Sequence, residues 1–430
     1  MPRSLLFISA LALGAICVSA AVIGTNVAAL PLTEERIAAL PAAQQEEWRK
    51  YLARSVAQMQ TDRAALLAEM KKVGLSAPLI PPAGSAAKSI PLDKPAEWYA
   101  GAEARRIADI VVSFQTPAGG WSKNLNLTDH GRRPGEHFAG DNPSPVPGAG
   151  DPAPSKDLKW EYVGTLDNDA TTTEIRFLSR VAAAGGNGKD IERWRASFLR
   201  GIEYILAAQY PNGGWPQIWP LQGGYHDAIT FNDDAMTQAM EVLLDAADGR
   251  AEFAAVPAEL RTRARAALKK GIDATLATQI VVKGVRTAWG QQYDMLDLKP
   301  AGARNYEPPS LSSGESAGVM LFLMKLPQPS SQVVEAVRTA AAWLKRTAVY
   351  GKAFGRGPNG RTLTSAEGAG PIWSRFYEIV SGRPIFGDRD KSIHDDVNEI
   401  SLERRNGYSW YNAGPQAALD KFAEWNASRP

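Results

Sequence analysis

Apolar residues recur every three to four positions over residues 32–73, at Trp48, Leu52, Val56 and Met59 among others, in a run rich in Ala, Leu, Glu, Arg and Lys. That period predicts one long helix or a helical hairpin. It stops at residues 76–95, where repeated prolines leave no periodicity, so this stretch reads as a linker or a strap across the surface. The helical period then returns in blocks at Ala96 to Gln115, Thr171 to Ala184, Asp190 to Gln209, Asp234 to Ala247, Ala258 to Gln279, Gly314 to Leu326 and Ser331 to Thr347. The breaks inside 171–209, 234–279 and 314–347 suit three helical hairpins. Strand-like runs are few, the best being Ile280 to Val285 and Pro371 to Val380. The pattern predicts a helical extension over 21–75 and an all-α domain with elaborate loops over 96–430.

Two of the predicted helices end in one seven-residue skeleton, Gln-x-Pro-x-Gly-Gly-Trp, at Gln115 to Trp121 and at Gln209 to Trp215. Proline stops the helix, the glycines permit positive φ, and the Trp folds back onto the hairpin. A weaker third version runs from Gln279 to Trp289. Hairpins set in a ring with their loops at one rim produce this rhythm. The tryptophans then serve as rim core or as part of a cleft.

With 430 residues, 44% hydrophobic and 22% charged, the chain can bury a large core. A formal charge of +2 gives no argument for a nucleic-acid partner. At the N-terminus, Arg3, the apolar run Leu5 to Val18 and the small-residue site Val18-Ser19-Ala20 have the layout of a signal peptide over 1–20. The run is short for a membrane span, so a secreted or periplasmic protein, monomeric and without a membrane anchor, is expected. Cys17, the single cysteine, falls inside that segment and leaves the mature chain without disulfides.

The four histidines lie far apart, and no zinc spacing, nucleotide-binding glycine loop or nucleophile elbow is present. Acid and amide residues instead cluster at predicted helix starts, in Thr165 to Glu174 and Thr230 to Met236. Helix capping accounts for part of this, and Thr171-x-x-Glu174 has the form of a capping box. Each cluster nevertheless has more carboxylates than one cap uses. If the hairpins converge, Asp167 with Asp233 or Asp234 can share a hard cation through oxygen ligands, which is calcium chemistry. Lys123, Arg304, Arg375 and Arg389 form a cationic set in Gly- or Pro-rich loops. A metal site beside arginines suited to carboxylate recognition points to a polyanionic substrate, and tryptophans suit sugar faces. A two-carboxylate hydrolase using Asp167 and Asp234, an isoprenoid cyclase and a non-catalytic glycan-binding protein are the alternatives.

At these residues the chain resembles the family ten polysaccharide lyases that act on pectate. The similar blocks are GGWSKN, TLDNDATTTEIRFL, NGGWPQ, ITFNDDAM, LKPAGARNYEPPSLSSGES, RFYEI and PIFGDRD, in family order from Gly119 to Asp390. The resemblance implies an (α/α)3 toroid and cleavage of polygalacturonate by calcium-dependent β-elimination. It carries the calcium-site aspartates to Asp167 and Asp233, with Asp234 beside them, and the catalytic base to Arg304. It carries substrate binding to Arg375, Arg389 and the Lys123-Asn124 element. Two departures stand out: Asp169 where the family usually has Gly, and Ser122 where Pro is common.

Overall fold

The computed structural model describes residues 21–140, 160–185 and 188–429; the expected signal peptide lies outside them. Nine helices of eight residues or more occur among the described residues. They are α1 (Ala42–Val73), α2 (Ala102–Ser113), α3 (Thr172–Ala184), α4 (Lys189–Ala208), α5 (Ala235–Asp248), α6 (Ala258–Ala277), α7 (Ser313–Lys325), α8 (Ser331–Thr347) and α9 (Pro415–Ala427). The three expected hairpins are α3/α4, α5/α6 and α7/α8. Helices α3, α5 and α7 touch in succession as an inner layer, and α2, α4, α6 and α8 touch in succession outside them. This is the expected α/α toroid. Inner helix α7 buries Val319, Met320, Phe322 and Leu323 on several faces, as a helix enclosed by its neighbours must.

The Gln-x-Pro-x-Gly-Gly-Trp repeat explains how consecutive outer helices are joined. The Gln115 side-chain amide donates to Gly119 O (2.7 Å) in its own turn and to Ser197 O (2.9 Å) of α4. Gln209 bridges Gly213 O and Ala267 O of α6 in the same way, and Gln279 bridges Thr287 O and Ala336 O of α8. The Trp that ends each turn is fully buried and donates its indole N–H back to its own outer helix: Trp121 to Val111 O, Trp215 to Ile205 O and Trp289 to Thr275 O. Trp373 does the same to Leu344 O of α8 and is a fourth copy, unmarked in sequence because no Gly-Gly precedes it. Glycine is required where turn meets helix. A Cβ on Gly213 (φ 98°) would stand 2.2 Å from Lys270 O, and one on Gly271 in α6 would stand 2.7 Å from the Trp215 ring.

The expected helix over 96–115 is split at Gly101, whose extended backbone separates Ala96–Tyr99 from α2. In the extension, Pro41 separates a short helix at Glu34–Ala38 from the 32-residue α1. Residues Val22–Thr25, at the start of the extension, are a strand and not helix. It is the edge of a five-stranded sheet that continues through Ser392–His394, Pro384–Gly387, Phe376–Tyr377 and Leu311–Ser312, the last leading into α7. The Pro-rich linker holds a short helix at Ala86–Ser89 and bridges the toroid loops at Leu79–Glu136 and Ala83–Leu125. Among the described residues no helix is long and apolar enough to cross a membrane.

If the clamp sets outer-helix spacing, Gly213→Ala lowers stability by ~3 kcal/mol through backbone strain and overlap. Gln279→Ala lowers it by about 2 kcal/mol by stranding two buried carbonyls. Urea unfolding measures both, and unchanged midpoints in the two variants would contradict the clamp.

Candidate active site

Each rim tryptophan also starts the construction of the site, because the residue two places after it is aimed toward the centre. Lys123, Gln217 and Gln291 follow Trp121, Trp215 and Trp289 at that offset, and all three line one cavity of about 220 Å³. Arg375 follows Trp373 at the same offset and donates to Asn232 Oδ1 (2.8 Å) on the cavity wall. The carbonyls of Trp121, Trp215 and Trp289 accept from the backbone N–H of Thr165, Thr230 and Ser312, just ahead of inner helices α3, α5 and α7. The N-termini of the inner helices are thereby gathered at this rim.

The acid and amide clusters are two copies of one turn. Thr165 and Thr230 occupy the same place in them, and each is followed by consecutive left-handed residues: Asn168 and Asp169 (φ 53° and 59°), Asp233 and Asp234 (φ 48° and 57°). Asn and Asp tolerate this region better than other side chains with a Cβ. The register therefore equates Asp167 with Asn232, Asn168 with Asp233, and Asp169 with Asp234. Asp167 and Asp233 are not equivalent positions, yet their carboxylates meet because the turns offer acids one step apart. The reciprocal capping box is not formed: Thr171 Oγ1 bonds to Trp121 and Thr165 and does not cap the helix, while the Glu174 carboxylate is buried beside the backbone of Thr171.

The cavity brings together Lys123, Asp167, Asp233 and Arg304 of the predicted set. Lys123 Nζ donates to Asp167 Oδ2. Arg304 is held by Glu307 through Nε–Oε2 (2.9 Å) and Nη2–Oε1 (2.5 Å), and Tyr408 OH donates to the same carboxylate (2.5 Å). Sequence reasoning missed Glu307 and Tyr408; the Arg-x-x-Glu spacing from 304 to 307 was the available signal for the first. The other predicted residues lie outside the cavity lining. Asp234 turns toward α7, accepting from Thr237 Oγ1, with its Oδ1 against Gly318. Asn124 is a left-handed residue whose carbonyl accepts from Gly84 N in the linker. Arg375 is half-buried, paired with Glu315 (3.0 Å) and stacked on Tyr408. Arg389 is part-exposed, pairs with Glu403 (3.1 Å) and stacks on Tyr306, the ring that Arg304 also faces.

Residues 115–419 match the model of the family described as pectic acid lyase. The chain belongs to that family. Two solved structures are similar to this lyase over most of its length. One, titled a family 10 polysaccharide lyase from Cellvibrio cellulosa, is 34% identical with a TM-score of 0.64, covering 79% of this chain and 97% of its own. The other, a mutant of a family 10 polysaccharide lyase from Cellvibrio cellulosa in complex with trigalacturonic acid, is also 34% identical with a TM-score of 0.64, and covers 78% and 98%. No curated protein is significantly similar to it. Membership in a lyase family sets aside the hydrolase, cyclase and binding-protein alternatives.

The charges of the lyase's cavity oppose one another at close range. Burial disfavours an ionised Asp167, but the Lys123 ammonium outweighs it and holds the carboxyl below its ordinary value. Asp233 is pushed upward by burial and then by the Asp167 charge beside it. Asp167 Oδ1, Gln291 Oε1 and Gln292 Oε1 are buried without a hydrogen-bond donor, and their residues line the same cavity. Orphaned oxygens beside two carboxylates are the donor set a hard cation satisfies, so these residues fit calcium. No three His, Cys, Asp or Glu side chains among the described residues form a complete cage by themselves. Asp169, the departure from Gly, occupies a left-handed position where Gly is natural; burial and then Asp167 raise its carboxyl.

The pH consequence has a definite sign. Asp233's folded value lies above its ordinary 3.8, so its stabilising contribution is complete below that value and disappears as pH rises through the folded value. Asp234, Asp62 and Glu174 are raised in the same direction, to about 6, about 7 and about 8, by burial first. The calcium-free lyase is therefore expected to lose stability from acidic to neutral pH. Asp233→Asn removes this group's share of that slope and flattens the curve. Chelated wild type and variant with parallel stability–pH curves would refute this.

Proposed function

We propose that this lyase cleaves polygalacturonate by calcium-dependent β-elimination, with Arg304 removing the C5 proton. The observation that carries the reading is one cavity holding Arg304 and Lys123 opposite an acid pair with orphaned oxygens. The trigalacturonic acid complex of the similar lyase supports a polyuronate substrate. The signal-like residues 1–20 support action outside the cytoplasm. Asp167 and Asp233 are the residues that would hold calcium, with Gln291 and Gln292 as neighbouring oxygens. Calcium, when bound, supplies positive charge to the uronate carboxylate and to the enolate-like charge that develops on it.

The chain's own groups account for the rest. Lys123 is placed to exchange its Asp167 partner for a substrate carboxylate. The C5–H bond breaks toward Arg304, its electron pair becomes the C4–C5 double bond, and the C4–O bond breaks with the leaving oxygen protonated by solvent. The difficulty lies at Arg304. Burial favours its neutral form, but the Glu307 carboxylate outweighs burial and raises Arg304 well above its ordinary value. Glu307 is itself held down to about 2, against its own burial, by the same pair. The base must lose a proton before turnover, so the reaction is expected to favour alkaline pH.

Two experiments test this. On polygalacturonate the lyase is expected to generate ultraviolet-absorbing unsaturated ends with calcium and none with chelator; Arg304→Ala and Arg304→Lys lose turnover by about 10² or more while still binding substrate. Substantial turnover by Arg304→Ala ends the assignment of the base. Glu307→Gln removes the charge that holds Arg304 protonated, so the rising limb of kcat/KM moves to lower pH. A limb that stays put or moves up contradicts the proposed role of the pair.

A further inference from the structure

We infer that Asn26, in the segment preceding α1, is a positioning residue for Arg304, and that this segment is a working part of the catalytic site. The inference rests on the reading of Arg304 as the base. It starts from the edge strand Val22–Thr25, which pairs antiparallel with Ser392–His394, Thr25 opposite Ser392. Asn26 continues the ladder, donating its backbone N–H to Lys391 O (2.8 Å). Its side chain is 5% exposed and spends both amide protons on adjacent carbonyls, Arg304 O (2.8 Å) and Asn305 O (2.9 Å). Asn305 then donates its own amide to Arg389 O (2.8 Å). One buried amide thus ties the backbone of the base to the segment, and through Asn305 to the loop carrying Arg389.

The turn around Arg304 explains why such a tie matters. Ala303 N donates to Glu307 O, Glu307 N to Arg304 O, and Arg304 N to Glu307 Oε2. These bonds set the turn's shape but join it to nothing outside itself. Its place relative to Asp167 and Asp233 is set by external contacts. One is Ala301 N on Gln292 O, another is Tyr408 on Glu307, and the two bonds from Asn26 reach the backbone carbonyls of Arg304 itself and of Asn305 beside it. Gly302 confirms how closely the segment lies on the turn: a Cβ there would stand 2.5 Å from Asn26 Oδ1 and 2.6 Å from Val27 O. A misplacement of about 1 Å at a reacting group is enough to cost on the order of 10²-fold in rate.

The test uses the full-length protein with three substitutions that approach the contact from both sides. Asn26→Ala removes the two donated hydrogen bonds. Asn26→Asp keeps the size and turns an acceptor toward the two carbonyls. Gly302→Ala leaves Asn26 intact and forces the segment away. In each, kcat on polygalacturonate is expected to fall about tenfold or more, with KM and the calcium-dependent binding of trigalacturonic acid within about threefold of wild type. If Asn26→Asp does not fold, Asn26→Ala and Gly302→Ala decide the matter. Wild-type kcat in those two overturns the inference. So does a loss of kcat that merely tracks the unfolded fraction in a thermal melt, because that is the signature of a purely structural contact. High activity in Arg304→Ala would remove the proposed base instead, and is read separately.

Discussion

The indole bonds of four buried tryptophans, with the carbonyl bonds of three of them, are the constraint from which the rest of this molecule follows. Each of these Trp residues buries its N–H at a cost that a hydrogen bond offsets, and the partner it takes is a carbonyl of the outer helix it has just left. Satisfying that bond turns the chain back over the helix end. It leaves the next residues running inward across the rim. The glutamine before three of the turns locks each to the following outer helix, so one device sets both the spacing of the toroid and the direction of the segment that leaves it. Lys123, Gln217, Gln291 and Arg375 owe their common orientation to this offset from Trp. Architecture and chemistry are carried by the same repeat.

The helical part of the fold was legible because its signal is a period sustained over three or more turns; α3 to α8 fall within a residue or two of their expected bounds. The five-stranded sheet was legible only at Phe376–Tyr377, inside the expected strand-like run Pro371 to Val380; Leu311–Ser312 is two residues long and offers no alternation to read. Helix α9 and the hairpin Lys352–Gly357/Gly360–Ser365 were also unforeseen. In the site, Lys123, Asp167, Asp233 and Arg304 converge from segments up to 181 positions apart. No spacing rule announces that meeting; the resemblance of ordered blocks did. Asp234 shows the limit of reading carboxylates by adjacency. One residue from Asp233, it faces another helix, because two successive left-handed residues turn consecutive side chains apart.

The convergence of Asp167 and Asp233 opposes folding in the free protein and is tolerated because its surroundings are rigid. Three inner helices present their N-termini to the rim, and the Lys123 ammonium neutralises one carboxylate. Like charges this close persist only where packing fixes the groups that bear them. The Trp clamps supply that packing. Arg375 follows the same logic on the opposite sign: it is half-buried, kept charged by Tyr408 and Glu315 against its own desolvation, and has a buried Nε left without an acceptor. Unspent donors and acceptors on fixed side chains are what a charged ligand can complete.

The pairing of Arg304 with Glu307 resists the chemistry assigned to it, and that resistance has a physical use. A lone guanidinium on a surface turn samples many rotamers, whereas a fork bound to a buried carboxylate has one orientation. Orientation and basicity are therefore in conflict at this residue, and the structure favours orientation: Glu307 is anchored by Tyr408 and by the Arg304 backbone N–H as well as by the fork. On the proposed reading of Arg304 as the base, basicity would then come from cations brought near the guanidinium. Lys123 already lies in the cavity, and calcium on the acid pair would add to it. Under the proposed mechanism, such a site would keep Arg304 protonated and inert until the activating positive charge is in place, so that proton removal would be coupled to occupancy of the carboxylate pair opposite.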